Sequence, residues 1–163
     1  MKKGFTLIEI VIVLVVIGIL MTATMRFGSG HIVDLKAQSL KEDFVGYYNE
    51  LYNQNMTSSY RNEKQYKFLT IHFDTGIRYQ TDSDPVVQEP NLAAVTFREL
   101  MLDSQKTSSA QIQLVPYMLW CTFMSQGITG NIFSFQFYVP QNGKQYCFEI
   151  KSETCKLIEM KCN

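Results

Sequence analysis

The run from Phe5 to Met25, FTLIEIVIVLVVIGILMTATM, constrains this chain of 163 residues more than any other feature. Of its 21 residues, 16 are apolar and one, Glu9, is charged. As a helix it rises about 31 Å at 1.5 Å per residue, matching a hydrocarbon layer of about 30 Å. Lys2 and Lys3 precede it and only Arg26 follows closely. The positive-inside tendency therefore places the N-terminus in the cytoplasm and the chain after Met25 outside. A secretory signal peptide needs a shorter apolar core and a small-residue cleavage site, and Thr22-Ala23-Thr24 is a poor one. A plain signal anchor has no use for Glu9. A charged side chain at mid-helix costs roughly 2.5–3.5 kcal/mol on insertion scales, so an intramembrane acid points to function. Its partner has to be a cation or donor within the apolar layer, and no side chain of Phe5–Met25 supplies a cation. A new α-amino group would, if the chain were cut before Phe5 and a neighbouring molecule brought its own amine close.

Lys2-Lys3-Gly4-Phe5-Thr6-Leu7-Ile8-Glu9, followed by the aliphatic run, resembles the N-terminus of type IV pilins and pseudopilins. The resemblance covers about the first 25 residues, and its motif is specific. It implies cleavage after Gly4 by a membrane-embedded prepilin peptidase and N-methylation of Phe5. Glu9, the fifth residue of the mature chain, then registers an entering subunit by pairing with a neighbour's N-terminal amine. The implied partners are the peptidase, other pilin or pseudopilin subunits, an inner-membrane assembly platform and, before assembly, membrane lipid. The implied location is the bacterial inner membrane, single-pass with the C-terminal domain outside the cytoplasm, and then a periplasmic or extracellular filament. One departure is visible. Many pilins carry a proline near the end of the apolar stretch, and this chain has none before Pro85. Gly28 and Gly30 are expected to loosen the helix there instead.

Beyond Met25 the helix is expected to continue. Val33, Ala37, Leu40, Phe44, Tyr47 and Leu51 recur at helical spacing, while Lys36, Lys41, Glu42, Asp43 and Glu50 mostly fall off that stripe. The stripe reads as a face that packs on its own domain. Asn53, Asn55 and Ser58-Ser59 mark the helix end. After Arg61 the period changes to two. Tyr66–Phe73 and Ile77–Gln80 flank Asp74-Thr75-Gly76 as a hairpin. Thr81–Pro90 reads as a loop, and Asn91–Asp103 stays open between a short helix and an edge strand. Gln111–Val115 and Tyr117–Met124 read as strands broken at Pro116, with a turn over Gly127–Asn131. Phe133, Phe135, Phe137 and Val139 alternate with Ser134, Gln136 and Tyr138. A turn at Pro140-Gln141-Asn142-Gly143 leads to Tyr146, Phe148 and Ile150 on one face, then Lys151–Thr154 turns into Lys156–Met160. The expected fold is α+β: a long N-terminal helix on an antiparallel meander with one apolar face. The expected organisation is a leader (1–4), a transmembrane or filament-core helix (5–25), an amphipathic continuation (26–60) and a β-rich pilin-like domain (61–163).

Cys121, Cys147, Cys155 and Cys162 all lie on the outward side, where disulfides form. Three connectivities are open. Cys147 and Cys155 flank the last turn and are expected to pair, leaving Cys121 to tie Cys162 to the sheet. Many pilins close their C-terminal region with a disulfide, which agrees with this placement. A zinc site is the alternative, but there is no C-x-x-C and no histidine cluster. His31 and His72 read as surface or capping histidines. Asp82-Ser83-Asp84 looks like half a calcium loop without its glycine and distal glutamate, and reads as loop chemistry. No metal or cofactor is expected. Asn55-Met56-Thr57 is formally a glycosylation sequon.

Lys2, Lys3 and Glu9 aside, the 15 basic and 15 acidic residues become 13 and 14, so the chain beyond Met25 carries −1. Long-range attraction for nucleic acid is absent, and Arg61, Lys64 and Lys67 beside Tyr60 and Tyr66 read as a solvated strand edge. No G-x-S-x-G, P-loop or paired-acid motif is present, so no enzyme is expected. The leading expectation is a structural subunit, a minor pilin or pseudopilin, of a type IV pilus, type II secretion or competence system. The β-rich part after Arg61 is similar to minor pseudopilins of the H type. The alternative is a filament-displayed binding module for DNA or a surface ligand.

Overall fold

The computed structural model describes residues 7–74, 76–93, 95–140 and 143–162, without the side chains of 23–31. The chain divides into two compact units, Met1–Lys36 and Ala37–Asn163. One helix, α1 (Leu7–Thr57), contributes to both and passes through Gly28 and Gly30 without a break. Its helical backbone ends where Ser58 and Ser59 begin, as their preference for local side-chain hydrogen bonds dictates.

The second unit is β-rich. β1 (Tyr60–Arg61) and β2 (Lys64–Gln65) form a small ribbon. A first sheet contains β3 (Leu69–Asp74), β4 (Gly76–Thr81), β5 (Val87–Gln88), β8 (Ala110–Leu114), β9 (Cys121–Ser125) and β10 (Ile128–Gly130), in the order β10-β9-β8-β3-β4-β5. A second sheet contains β6 (Thr96–Leu102), β7 (Gln105–Lys106), β11 (Ile132–Val139), β12 (Lys144–Lys151) and β13 (Leu157–Met160), in the order β13-β12-β11-β6-β7. Every pairing described is antiparallel. The fold is α+β and pilin-like, but the expected single meander is two sheets.

The reason lies in the phenylalanines. Phe44 of α1 is fully buried and lies 6.5 Å from Phe73 of the first sheet. It also lies 5.6, 5.9, 5.1 and 5.4 Å from Phe97, Phe135, Phe137 and Phe148 of the second. Phe73 in turn meets Phe97 and Phe133 at 5.2 Å and Phe135 at 5.0 Å. Two apolar sheet faces and one helix face thus converge on one aromatic cluster, whose offset and edge-on geometries are those the ring quadrupoles favour. Leu51, Tyr48 and Ala37 extend the buried helix face.

Local backbone explains the other departures. Asn62-Glu63, Asp103-Ser104 and Gln126-Gly127 each have both residues at positive φ and each join two paired strands. Such turns match the right-handed twist of a hairpin. The turn expected over Gly127–Asn131 is therefore Gln126-Gly127, and Ile128–Gly130 is strand. Segment Asn91–Asp103 divides between a 3-10 turn (Pro90–Leu92) and β6, which lies between β11 and β7. A bulge sets Glu99 and Leu100 opposite Phe135, with Glu99 at φ 45°. That extra residue breaks the two-residue period and hides the strand. The loop Thr81–Pro90 contains the short β5. Tyr117–Trp120 is not strand; β9 starts at Cys121. The β3–β4 turn requires glycine. Gly76 has φ +76°, and a Cβ there would stand 3.1 Å from the carbonyl oxygen of Leu92. Thr75, Gln141 and Asn142, central to two expected turns, lie outside the described residues.

Truncating Phe44 to alanine is expected to remove about 3–5 kcal/mol of stability. Urea unfolding of the detergent-solubilised full chain, followed by Trp120 fluorescence, measures it.

Candidate functional site: an apolar helix bearing one acid

From Leu7 to Thr22 the helix consists mostly of leucine, isoleucine and valine, and every side chain is exposed. Exposure runs from 42% at Ile17 to 81% at Leu7 among the large apolar residues, so none is shielded within its unit. A helix apolar on all sides needs an apolar surrounding, either lipid or other helices. Burying one such leucine, isoleucine or valine is worth about 1.5–3 kcal/mol. Even the hydroxyl of Thr22 turns inward, donating to the carbonyl of Ile19 at 2.8 Å.

Glu9 is the acid of the first helical turn described. There the aligned backbone dipoles present their positive end, which favours a carboxylate. Its neighbours Ile10, Val13 and Leu14 flank it with hydrocarbon. Among the described residues no helix is long and apolar enough to cross a membrane. The apolar stretch with described side chains ends at Thr22, about 24 Å of helix at 1.5 Å per residue. Phe5 and Thr6 and the side chains of 23–25, which complete the span expected from sequence, lie outside the described residues, as do Gly4 and the leader.

Residues 1–25 match the family model of the prokaryotic N-terminal methylation motif. The chain carries the type IV pilin and pseudopilin signature. Its apolar helix, single acid and methylation motif occupy the same stretch, and together they support a pilin-like filament subunit. No curated protein and no solved structure matches the chain.

In this pilin-like chain the four cysteines form two disulfides, Cys121–Cys155 and Cys147–Cys162. The expected pairing, Cys147–Cys155 with Cys121–Cys162, is corrected by strand register. Across β12–β13, Ile150 faces Leu157 and Cys147 faces Met160, so Cys147 lies beside Cys162. Cys155 stays in the turn at φ 52°, where the Cys121 amide donates to Ser152 at 2.8 Å and brings β9 alongside. Tyr48 then ties this turn to α1, its hydroxyl donating to the Cys155 carbonyl at 2.7 Å. Burial, with Tyr52 nearby, pushes the Tyr48 phenol well above its ordinary pKa. Tyr48 escaped the sequence stripe because it follows Tyr47 by one residue; the helical spacing from Phe44 was its signal.

The remaining candidates resolve into structural roles. Asn55 is fully buried and its Nδ2 donates to Val115 at 2.9 Å, so the formal sequon holds a loop. Arg61 bonds Gln54 and stacks 4.2 Å from the Tyr79 ring, and Lys64 pairs with Asp84 at 3.0 Å. Asp82 accepts from the Lys67 amide at 2.8 Å. The Lys64 side chain and the Lys67 amide thus engage the two aspartates of the half calcium loop, while Arg61 is held by Gln54 and Tyr79. Among the described residues no group of histidine, cysteine and carboxylate side chains could hold a metal. The side chain of His31 lies outside the described residues. His72 is half-buried on β3; burial and then the Arg78 guanidinium hold its pKa below 6.5, against the opposing pull of Asp74. Tyr117–Trp120, expected as strand, is instead an exposed apolar loop between β8 and β9.

Non-reducing peptide mapping is expected to recover Cys121–Cys155 and Cys147–Cys162. Replacing both cysteines of one pair by serine should cost about 2–5 kcal/mol in unfolding measurements. His72 binds protons more readily unfolded than folded, so its contribution is present above pH 6.5 and declines as pH falls toward its lowered pKa. A His72→Gln variant should lose that part of the acid dependence in pH-resolved melts.

Proposed function

We propose that the chain is a minor pilin or pseudopilin, a structural subunit of a type IV filament used as a pilus, in type II secretion or in DNA uptake. Residues 1–4 are the leader, 5–25 the membrane and filament-core helix, 26–60 its amphipathic continuation and 61–163 the displayed β-rich domain. The observation that carries this reading is the joining of the methylation motif to a helix with no shielded apolar face and one acid. Prepilin peptidase cuts between Gly4 and Phe5, and Phe5 is N-methylated. Before assembly the helix resides in the inner membrane with the rest of the chain outside the cytoplasm. Transfer into a polymer then exchanges lipid for neighbouring helices, at little cost in apolar burial.

Selectivity comes from Glu9. In hydrocarbon its carboxylate is expensive, and a neighbour's N-terminal ammonium lowers that cost only when the two helices are in one axial register. An energetic penalty thus becomes a ruler. The disulfides fit export to an oxidising compartment. The paired state of Arg61 and Lys64, with the charge of −1 beyond Met25, gives the DNA-binding alternative no support.

Mass spectrometry of the native N-terminus is expected to find N-methyl-phenylalanine at Phe5; a retained Met1 overturns the reading. Glu9→Ala should leave insertion and cleavage intact and reduce filament incorporation at least tenfold, about 1.4 kcal/mol or more of lost pairing. Immunoblotting of membrane and sheared-filament fractions distinguishes the two steps.

A further inference from the structure

At the end of the second unit where α1 stops, one loop is both exposed and fixed. Tyr117–Trp120 carries four exposed apolar or aromatic side chains, from 44% at Met118 to 60% at Leu119. It is nevertheless pinned at each end. Pro116 is buried, the Tyr117 amide donates to the Asn55 carbonyl at 3.0 Å, and the Ser59 amide donates to the Tyr117 hydroxyl at 3.2 Å. Cys121, next after Trp120, is held by its disulfide to Cys155 and by its amide bond to the Ser152 carbonyl at 2.8 Å. Trp120, the chain's only tryptophan, is 47% exposed and makes no hydrogen bond or ring contact among the described residues. A large ring left out of the core but carried on a braced loop offers contact area at little entropic cost.

Beside it lies an open pocket of about 390 Å³, within the size range of small-molecule sites. Trp120 lines it together with Asp103, Thr122, Thr129, Asn131 and Glu153. Thr122 stands on β9 between the buried Cys121 and Phe123, so it takes the opposite, exposed face. Thr129 of β10 is paired with Met124 and shares that face. Neither hydroxyl, nor the Glu153 carboxylate, makes a hydrogen bond or ion pair among the described residues. Asp103 is fixed, its Oδ1 accepting from the Asn131 and Ile132 amides at 3.0 and 2.8 Å. Asn131 Oδ1 accepts from the Ser152 hydroxyl at 3.4 Å, which leaves its Nδ2 to donate. A Cβ on Gly130 would stand 2.7 Å from Leu102 and 2.8 Å from the Asp103 carboxylate, so the wall here is bare backbone. One indole thus adjoins unclaimed hydroxyls and an amide, and no lysine or arginine lines the pocket.

That combination selects its guest. Asp103 and Glu153, with no cation to offset them, repel nucleic acid, phosphate and acidic sugars. A lipid surface over the loop would strip water from these carboxylates and hydroxyls without replacing their hydrogen bonds. A simple ammonium would use the indole and the acids but leave the hydroxyls and the Asn131 amide unmatched. A neutral sugar answers both halves. One face of its ring turns carbon–hydrogen groups toward the indole, and its hydroxyls each donate and accept.

We propose that this pocket binds a neutral saccharide, with a sugar ring on the Trp120 indole and its hydroxyls on Thr122, Thr129, Asn131 and Glu153. Asp103 holds the Asn131–Ile132 backbone and thereby sets the Asn131 side chain. The pocket belongs to the β-rich unit alone, so its occupancy is independent of the filament reading. Repeated along a polymer, weak single contacts of this kind add up to firm attachment.

Because the chain has one tryptophan, its fluorescence reports on this pocket. The full-length chain, in a polyoxyethylene detergent that carries no sugar of its own, is titrated with glucose, galactose, mannose, N-acetylglucosamine and their disaccharides. A saturable change in emission with at least one of them, unaltered by raised salt, is expected. Saturation-transfer NMR on the sugar protons reads the same binding without the indole. By that measure W120A abolishes binding and W120F retains part of it. T122V/T129V, which keeps the β-branched shape, weakens it roughly fivefold. Each variant is expected to keep the parent's melting temperature. Silence of both methods across the panel, or binding unchanged in W120A, overturns the proposal. So does an emission change produced by choline chloride or phosphatidylcholine vesicles and by no saccharide.

Discussion

The second unit depends on a single ring placed where three surfaces meet. Phe44 leaves α1 and is surrounded by Phe73 from one sheet and Phe97, Phe135, Phe137 and Phe148 from the other. Neither sheet can bury its apolar face on the helix without also meeting its counterpart. Six of the chain's eleven phenylalanines thus share one cooperative contact. Peripheral polar contacts fix the orientation this cluster leaves free: Tyr48 to the Cys155 carbonyl, Asn55 to Val115, and Lys41 to Glu159.

Much of this was legible from the amino-acid order. The apolar stripe from Ala37 to Leu51 and the alternation from Phe133 to Val139 are periodic enough to reveal which side faces inward. The end of α1 was visible in Ser58 and Ser59. What was hidden followed from local departures from those periods. The bulge at Glu99 and Leu100 breaks alternation in β6. The turns Asn62-Glu63 and Asp103-Ser104 place residues other than glycine at positive φ. A single sheet was expected because pattern identifies an inner face but not how many layers share it. The disulfide pairing required strand register, which cysteine positions alone do not define.

The candidate site divides in the same manner. Glu9 and its hydrocarbon surroundings are contiguous in sequence, so their chemistry could be read directly. A groove between α1 and the β4–β5 side of the first sheet, lined by Tyr47, Glu50, Arg61, Tyr79 and Glu89, has no such local pattern connecting its residues. The first feature is a property of one helix; the second exists only after the sheet has folded against it.

The bond from Tyr48 to Cys155 joins residues 107 apart in the chain. Its acceptor belongs to the final turn, and that turn is held by a sulfur bridge to β9. The helix therefore cannot seat fully on this side until the final turn of the chain is in place. The residues made last thus serve as the latch for a helix made first.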